Sequence, residues 1–286
     1  MASTALEQQH GNEERPFRHY SLRHRITSWV SINLCDRMVY TQRHGLIKGM
    51  RRRGGLGWIP VSVEESAELR FWRDLDLAGQ TVYDVGAFQG LLTLHFARHA
   101  TRVIAYEPSS QTRERLLENL RLNNLSNVVV RPVGVGATSD ECELYANPLM
   151  TGGASIEPAT VKGLKASAQP LRVERIKITT LDQDIPENGL PAPDLIKIDI
   201  EGLEAEALRG ARNVIAQHRP ALFLEMHGET LSEKRRKAAE VVGLLVSYGY
   251  RRIRHVESGQ TVGNENSEVA LEGHLYAVRE PAGQVP

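Results

Sequence analysis

The sequence predicts a doubly wound α/β fold: a mostly parallel sheet flanked by helices, preceded by an N-terminal helical extension. Three observations carry this. From Glu64 onward, short β-branched runs alternate with helical stretches, the pattern of parallel strands joined by crossover helices. An apolar run, Thr81 to Val85, passes through a glycine-containing turn straight into the helical segment Leu91-Leu92-Thr93-Leu94-His95-Phe96-Ala97. Residues 1–60 stand apart by charge, with ten arginines and lysines against four acids, whereas the 286-residue chain as a whole has 35 of each sign.

Taken in order, the first dozen residues are polar and predict disorder. Between Arg23 and Leu46, Ile26, Trp29, Val30, Leu34, Met38 and Val39 recur at imperfect helical spacing and predict a helical cap on the main domain. Arg51-Arg52-Arg53-Gly54-Gly55 reads as a turn or linker. Residues 61–286 then form one catalytic-sized domain. Its strands are predicted at Thr81 to Val85, Arg102 to Tyr106, Asn127 to Pro132, Asp194 to Asp199 and Ala221 to Glu225, completed by Tyr250 to His255 and His274 to Val278. Helices are expected at Leu91 to Arg98 and from a Ser109/Ser110 cap to Asn123. A third runs from Leu203 to just before Arg219-Pro220, and a fourth opens at Ser232 and closes at Gly249. An insertion at 136–181, with a strand at Leu171 to Thr179, is too long for an ordinary connection. It reads equally as a substrate lid or as a hairpin at the sheet margin.

Composition excludes several classes. Balanced charge gives no global attraction for nucleic acid. Cys35 and Cys142 have neither disulfide-framework nor zinc spacing, so a reducing, cytoplasmic setting is the expectation. No apolar run reaches the roughly 18 to 20 residues of a membrane span, and the N-terminus has no signal-peptide core. No motif sets the oligomeric state, which leaves a homo-oligomer open.

The donor-site signal is Tyr83-Asp84-Val85-Gly86-Ala87-Phe88-Gln89-Gly90, followed by a second strand ending in Tyr106-Glu107-Pro108. Gly86 would allow the tight turn and close backbone approach to a ligand, and Gly90 the packing of helix on strand. Asp84 can orient the amino group of an amino-acid ligand. Glu107, ending the next strand, is placed to accept hydrogen bonds from both hydroxyls of a ribose. The two acids together fit an adenosyl amino acid better than a dinucleotide, whose phosphates need GxGxxG amides and would be repelled by Asp84. The competing structural reading has the glycines merely turning the chain and the acids capping helices.

Two further strings, Lys197-Ile198-Asp199-Ile200-Glu201-Gly202-Leu203-Glu204 and Leu222-Phe223-Leu224-Glu225-Met226-His227-Gly228, join Asp84-Val85-Gly86-Ala87, Tyr106-Glu107-Pro108 and Leu120-Arg121-Leu122-Asn123-Asn124-Leu125. Over roughly residues 64 to 255 the chain resembles the FkbM-type methyltransferases. The resemblance implies a class I methyltransferase (Rossmann-like) sheet and S-adenosylmethionine held by Asp84, Gly86, Ala87, Phe88, Gly90, Glu107 and Pro108. It also implies a hydroxyl acceptor on a sugar, polyketide or other secondary metabolite. Phe88 departs from the family pattern, which commonly has asparagine there.

Asp199, Glu201, Glu225 and His227 fall at or just past strand carboxyl ends, where open α/β sheets bind ligands. A sugar-like hydroxyl needs help to lose its proton. His227 or Asp199 is therefore the expected base, with Glu201 and Glu225 orienting the acceptor. Asp199, Glu225 and His227 could instead hold a divalent metal, the less favoured reading. Lys197 is expected inside its strand, with an ion pair to Asp199 or Glu225 as its structural role, and Glu204 reads as a helix-terminal acid. Two rival functions fit the same residues: a nicotinamide-dependent oxidoreductase, and a non-catalytic donor-binding or assembly module. Donor titration followed by a turnover assay separates them.

Overall fold

The computed structural model describes residues 38–54, 65–146, 154–156, 161, 165 and 171–279. The polar first dozen residues, the part of the predicted helix before Met38 and Thr151-Gly152-Gly153 lie outside them. The central sheet has seven strands: β3 (Thr81–Val85), β4 (Arg102–Tyr106), β5 (Val128–Arg131), β10 (Leu195–Ile198), β11 (Ala221–Glu225), β12 (Arg252–His255) and β13 (His274–Val278). Their order is β12-β13-β11-β10-β3-β4-β5, and β13 runs opposite to the other six strands of this sheet. From β3 the chain winds outward through β4 and β5, then returns to place β10 on the other side of β3. The switch point lies between β3 and β10, where Asp84 is in register with Lys197 and Val85 with Ile198. Ligands bind beyond strand carboxyl ends at such a point.

Burial on both faces explains the continuous β-branched and aromatic composition of these strands. On one face Tyr83, Tyr106, Ile196, Leu222 and Leu224 pack with Leu208, Ile215 and Val242. On the other Trp72, Phe96, Val82 and Phe223 form an aromatic cluster. The buried tyrosine hydroxyls are satisfied: Tyr83 donates to the Pro191 carbonyl at 2.6 Å and Tyr106 to Asp184 at 2.9 Å.

The helices are α1 (Ala67–Asp74), α2 (Leu91–His99), α3 (Ser110–Leu122), α4 (Leu181–Glu187), α5 (Glu204–Arg209), α6 (Arg212–His218) and α7 (Leu231–Ser247), with a 3-10 helix at Asn264–Ala270. In α7, Thr230 accepts from the Glu233 N–H, and Gly249, at φ +86°, ends the segment in the left-handed conformation expected of a C′ glycine. The single helix expected from Leu203 to His218 is two, α5 and α6. The Gly210 carbonyl accepts instead from the Asp182 N–H at 2.9 Å, and a Cβ at Gly210 would lie 2.0 Å from the Gly136 carbonyl oxygen. Close backbone packing from another element therefore breaks the helix.

The N-terminal segment needs a larger correction. Where helical spacing was expected, β1 (Val39–Thr41) and β2 (Arg51–Arg53) pair antiparallel, so the arginine triplet is a strand rather than a turn or linker. Asn123 holds β2 by accepting from the Arg51 N–H at 2.8 Å, and Asn119 by accepting from the Arg53 N–H at 2.9 Å. Arg53 also pairs with Glu118 at 2.9 Å. Ile47 and Met50, in the connection, are buried against Leu94, Leu116 and Leu120.

The insertion, together with β6 (Gly134–Val135) just ahead of it, forms a separate four-stranded sheet from β7 (Asp140–Ala146), β8 (Ala154–Ser155) and β9 (Arg172–Thr179), in the order β6-β9-β7-β8. It is more than a marginal hairpin, because Leu144, Ile176 and Ile178 help line a cavity at the carboxyl edge of the central sheet.

Candidate active site

That cavity has a volume of about 230 Å³ and runs from Phe88, Glu107 and Pro108 to Asp199, Glu201 and Leu203. Its floor is the β3–α2 turn. Gly86, at φ +84°, is needed because a Cβ there would lie 1.8 Å from the Asp199 carbonyl oxygen. Thus the close approach attributed to a ligand is made by the chain itself. At Gly90, φ +88°, a Cβ would meet Leu116 at 2.4 Å, so this glycine serves contact between α2 and α3 rather than between helix and strand. Phe88 holds φ +50°, a left-handed conformation that costs a non-glycine residue about 1 kcal/mol and that asparagine tolerates better. The asparagine expected at this position therefore has a backbone reason.

Glu107 is buried. Its Oε2 accepts from the Phe88 N–H at 2.8 Å and its Oε1 from the Ser109 N–H at 2.9 Å, which fixes the carboxylate against the turn and leaves acceptor capacity toward the cavity. Burial pushes its pKa up, opposed by hydrogen bonds from Thr112, Ser109 and Phe88.

The other predicted donor residues divide. Gly86, Phe88 and Pro108 line the cavity, whereas Asp84, Ala87 and Gly90 support it from behind. Asp84 was expected to contact an amine, but its residue is 0 % exposed and its carboxylate is already engaged. It accepts from Thr93 Oγ1 at 2.6 Å and pairs with Lys197 Nζ at 3.2 Å. Lys197 also reaches Asp199 at 3.3 Å and donates to the Gly86 carbonyl at 2.9 Å. One buried ammonium thereby ties β3, its turn and the end of β10 together. Burial works against the Lys197 charge, yet Asp199 and Asp84 outweigh it and hold the pKa above the usual lysine value.

All four residues expected to carry chemistry converge around one imidazole. His227 Nε2 lies 3.7 Å from Asp199, 3.7 Å from Glu201 and 3.6 Å from Glu225. Its Nδ1 faces Glu204 Oε1 at 3.1 Å. Glu204 also accepts from the Gly202 N–H at 2.9 Å, so the helix-terminal role expected of it is real but incomplete: it orients His227 as well. Burial lowers the His227 pKa, but the Glu204 hydrogen bond and the surrounding carboxylates prevail and push it up to about 9. Burial raises Glu201 to about 7 despite the opposing pull of His227. For Asp199, burial is outweighed by Lys197 and His227, and the pKa falls. Glu201 sits at φ +56° ahead of Gly202 at φ +101°, a left-handed pair that turns the chain back into α5.

Sequence reasoning missed the continuation of this cluster. His274, paired in register with Glu225, lies 3.6 Å from its Oε2 and 2.6 Å from Glu257 Oε1. Burial opposes its charge, but Glu225 and Glu257 raise its pKa to about 9. Glu257 in turn meets His255 at 3.2 Å. His255, Glu229, Leu231, Lys234 and Glu272 border a second cavity, of about 380 Å³. Asn119 was missed too: besides holding Arg53, it donates to the Gln89 carbonyl at 3.0 Å and braces the β3–α2 turn. Only the pairing of elements distant in sequence exposes either role.

Comparison with known proteins finds methyltransferases. Methyltransferase 1 of Beauveria bassiana is 25% identical over 144 residues, covering 45% of this chain and 57% of that protein. Methyltransferase sdnD of Sordaria araneosa is 26% identical over 168 residues, covering 48% and 65%. The chain thus spans less than two thirds of the length of these two relatives. Hexuronic acid methyltransferase AglP of Haloferax volcanii is 25% identical over 181 residues, covering 58% of this chain and 68% of that protein. Among solved structures, methyltransferase FkbM from Methylobacillus flagellatus KT aligns with a TM-score of 0.46 at 21% identity, over 70% of this chain and 43% of that one. The methyltransferase FkbM domain matches residues 84–252, which include Asp84, Glu107, the Lys197–Glu204 string and His227, and the chain belongs to this methyltransferase family.

Proposed function

We propose that the chain transfers a methyl group from S-adenosylmethionine to a hydroxyl of a small-molecule or glycan acceptor. The observation that carries this reading is a single cavity with Glu107 at one end and Asp199 and Glu201 at the other. A ribose at Glu107 would donate both hydroxyls to an immobilised carboxylate. The sulfonium end would then extend toward Asp199, and the negative field there favours a cationic donor. Asp84 acts on the amine end only indirectly, by holding Lys197 and the turn.

In the reaction, the acceptor oxygen forms a bond to the methyl carbon while the carbon–sulfur bond breaks. Sulfur keeps the electron pair and leaves as neutral S-adenosylhomocysteine. Alignment of oxygen, carbon and sulfur is the enzyme's main contribution. The hydroxyl proton passes to Asp199, or to His227 in molecules whose imidazole has lost the proton that its pKa of about 9 favours, while Glu201 and Glu225 orient the acceptor. The second cavity extends the same sheet edge beyond Glu225 and gives a larger acceptor room to bind. A carbohydrate is favoured by these carboxylates, which accept hydrogen bonds from hydroxyls, and by the name of the Haloferax volcanii relative.

The test is incubation of the chain and S-adenosylmethionine with fractionated cell extract, followed by mass spectrometry. A product one methylene heavier, formed together with S-adenosylhomocysteine, supports the proposal. A methylated nitrogen or carbon in that product would refute O-methylation, and binding without turnover would indicate a non-catalytic module.

A further inference from the structure

We propose that Asp199, Glu225 and His227 form a divalent-cation site, with Glu204 as the residue that orients its imidazole ligand. The inference deepens the O-methylation reading and rests on it for its role in turnover, though not for the binding itself; ligation of the ion would take the place of the base role of Asp199 or His227 and of the orienting role of Glu225. One carboxylate oxygen from each acid and a ring nitrogen of His227 all lie within 4.8 Å of one another.

The geometry around His227 points to a ligand rather than to finished ion pairs. Nδ1 is anchored on the buried Glu204 carboxylate at 3.1 Å, whose side chain is 2 % exposed. An ionised carboxylate can only accept, so Nδ1 carries the hydrogen and Nε2 is aimed at the cluster. A carboxylate on the far ring nitrogen is the usual support of a metal-bound histidine. From Nε2 the oxygens of Asp199 and Glu225 stand at 3.7 and 3.6 Å, too far for hydrogen bonds. Ligands about 2.1 Å from a common ion are separated by about 3.0 Å at right angles and about 3.4 Å in a tetrahedron. The observed separations need only a small contraction to reach those values.

The surroundings add to the argument. Lys197 touches Asp199 but is shared with the fully buried Asp84, so its charge does not serve the cluster alone. Two carboxylates and an imidazole suit a hard or borderline ion, and three protein ligands leave positions open for water or an acceptor oxygen. Because Asp199 also borders the 230 Å³ cavity, such an ion would sit where an acceptor hydroxyl must meet the methyl group, and it would make that hydroxyl easier to deprotonate.

The experiment uses the full chain, stripped with EDTA, desalted and titrated with MnCl₂ while free Mn²⁺ is followed by electron paramagnetic resonance. One ion per chain is expected, with a rise in melting temperature. His227→Ala and Glu225→Gln should each weaken binding tenfold or more, and Glu204→Gln by about 10- to 100-fold through loss of ring orientation. Donor titration in EDTA, run on every protein, identifies folded variants and separates the two ideas. Donor binding without Mn²⁺ binding overturns the metal site alone, whereas Mn²⁺ binding without donor binding overturns the proposed function alone. Equal Mn²⁺ affinity in wild type and folded variants would show adventitious carboxylate binding and overturn the site. If no variant folds, wild type decides: no bound Mn²⁺ at millimolar concentration overturns it.

Discussion

Replacing Glu107 by alanine should separate donor affinity from fold integrity. The carboxylate faces the cavity while its two oxygens accept from Phe88 and Ser109 at 2.8 and 2.9 Å. Two ribose hydroxyls donating to it would each make a hydrogen bond to a charged group, worth about 1.5–3 kcal/mol. Water entering the vacated space recovers part of this, so a net loss of about 2–3 kcal/mol is expected. At 1.4 kcal/mol per factor of ten, S-adenosylmethionine should bind about 30- to 150-fold more weakly. The same change orphans two backbone N–H groups, one of them on Phe88, which already holds φ +50°. Stability should therefore fall as well, by about 1–3 kcal/mol for each donor left buried. Calorimetric titration, at a temperature where circular dichroism shows the variant folded, gives the affinity. Wild-type affinity in folded Glu107→Ala would show that the ribose does not lie there.

Three other changes probe the supports of the site. Lys197→Met strands the Asp84 carboxylate, which is 0 % exposed, and should cost about 3–5 kcal/mol in denaturant unfolding; a loss below about 1 kcal/mol would show that Lys197 does not hold that charge. Asn119→Ala removes the acceptor for Arg53 and the donor to Gln89, so a loss of about 2–3 kcal/mol and a weaker donor Kd are expected; wild-type stability and affinity would contradict its bracing role. His227→Ala should abolish turnover on an active extract fraction while donor affinity stays at the wild-type value, and a fully active variant would assign the proton to Asp199.

Much of the central sheet was legible because its signals are local. Thr81–Val85, Arg102–Tyr106, Ala221–Glu225 and His274–Val278 begin and end where the apolar runs do. Asp199, Glu201, Glu225 and His227 could be grouped because strand carboxyl ends share one edge in this topology. What stayed hidden depends on contacts distant in sequence. The hairpin at β1 and β2 is held by Asn119 and Asn123, 66 and 72 residues from the backbone groups they bind. Gly210 breaks a helix by packing on Gly136. Only the register of β3 with β10 reveals Lys197 beside Asp84, and His274 joins the cluster only through the register of β13 with Glu225. The role of Gly86 shifted for the same reason: its neighbour is the Asp199 carbonyl.

If the chain is a methyltransferase of the proposed kind, the cavity between Glu107 and Asp199 binds an adenosyl amino acid. Calorimetric titration of the full chain with S-adenosylmethionine, and separately with NAD, measures this binding. One S-adenosylmethionine should bind per chain, and NAD should give no heat. No binding of S-adenosylmethionine, or NAD bound in its place, would contradict it.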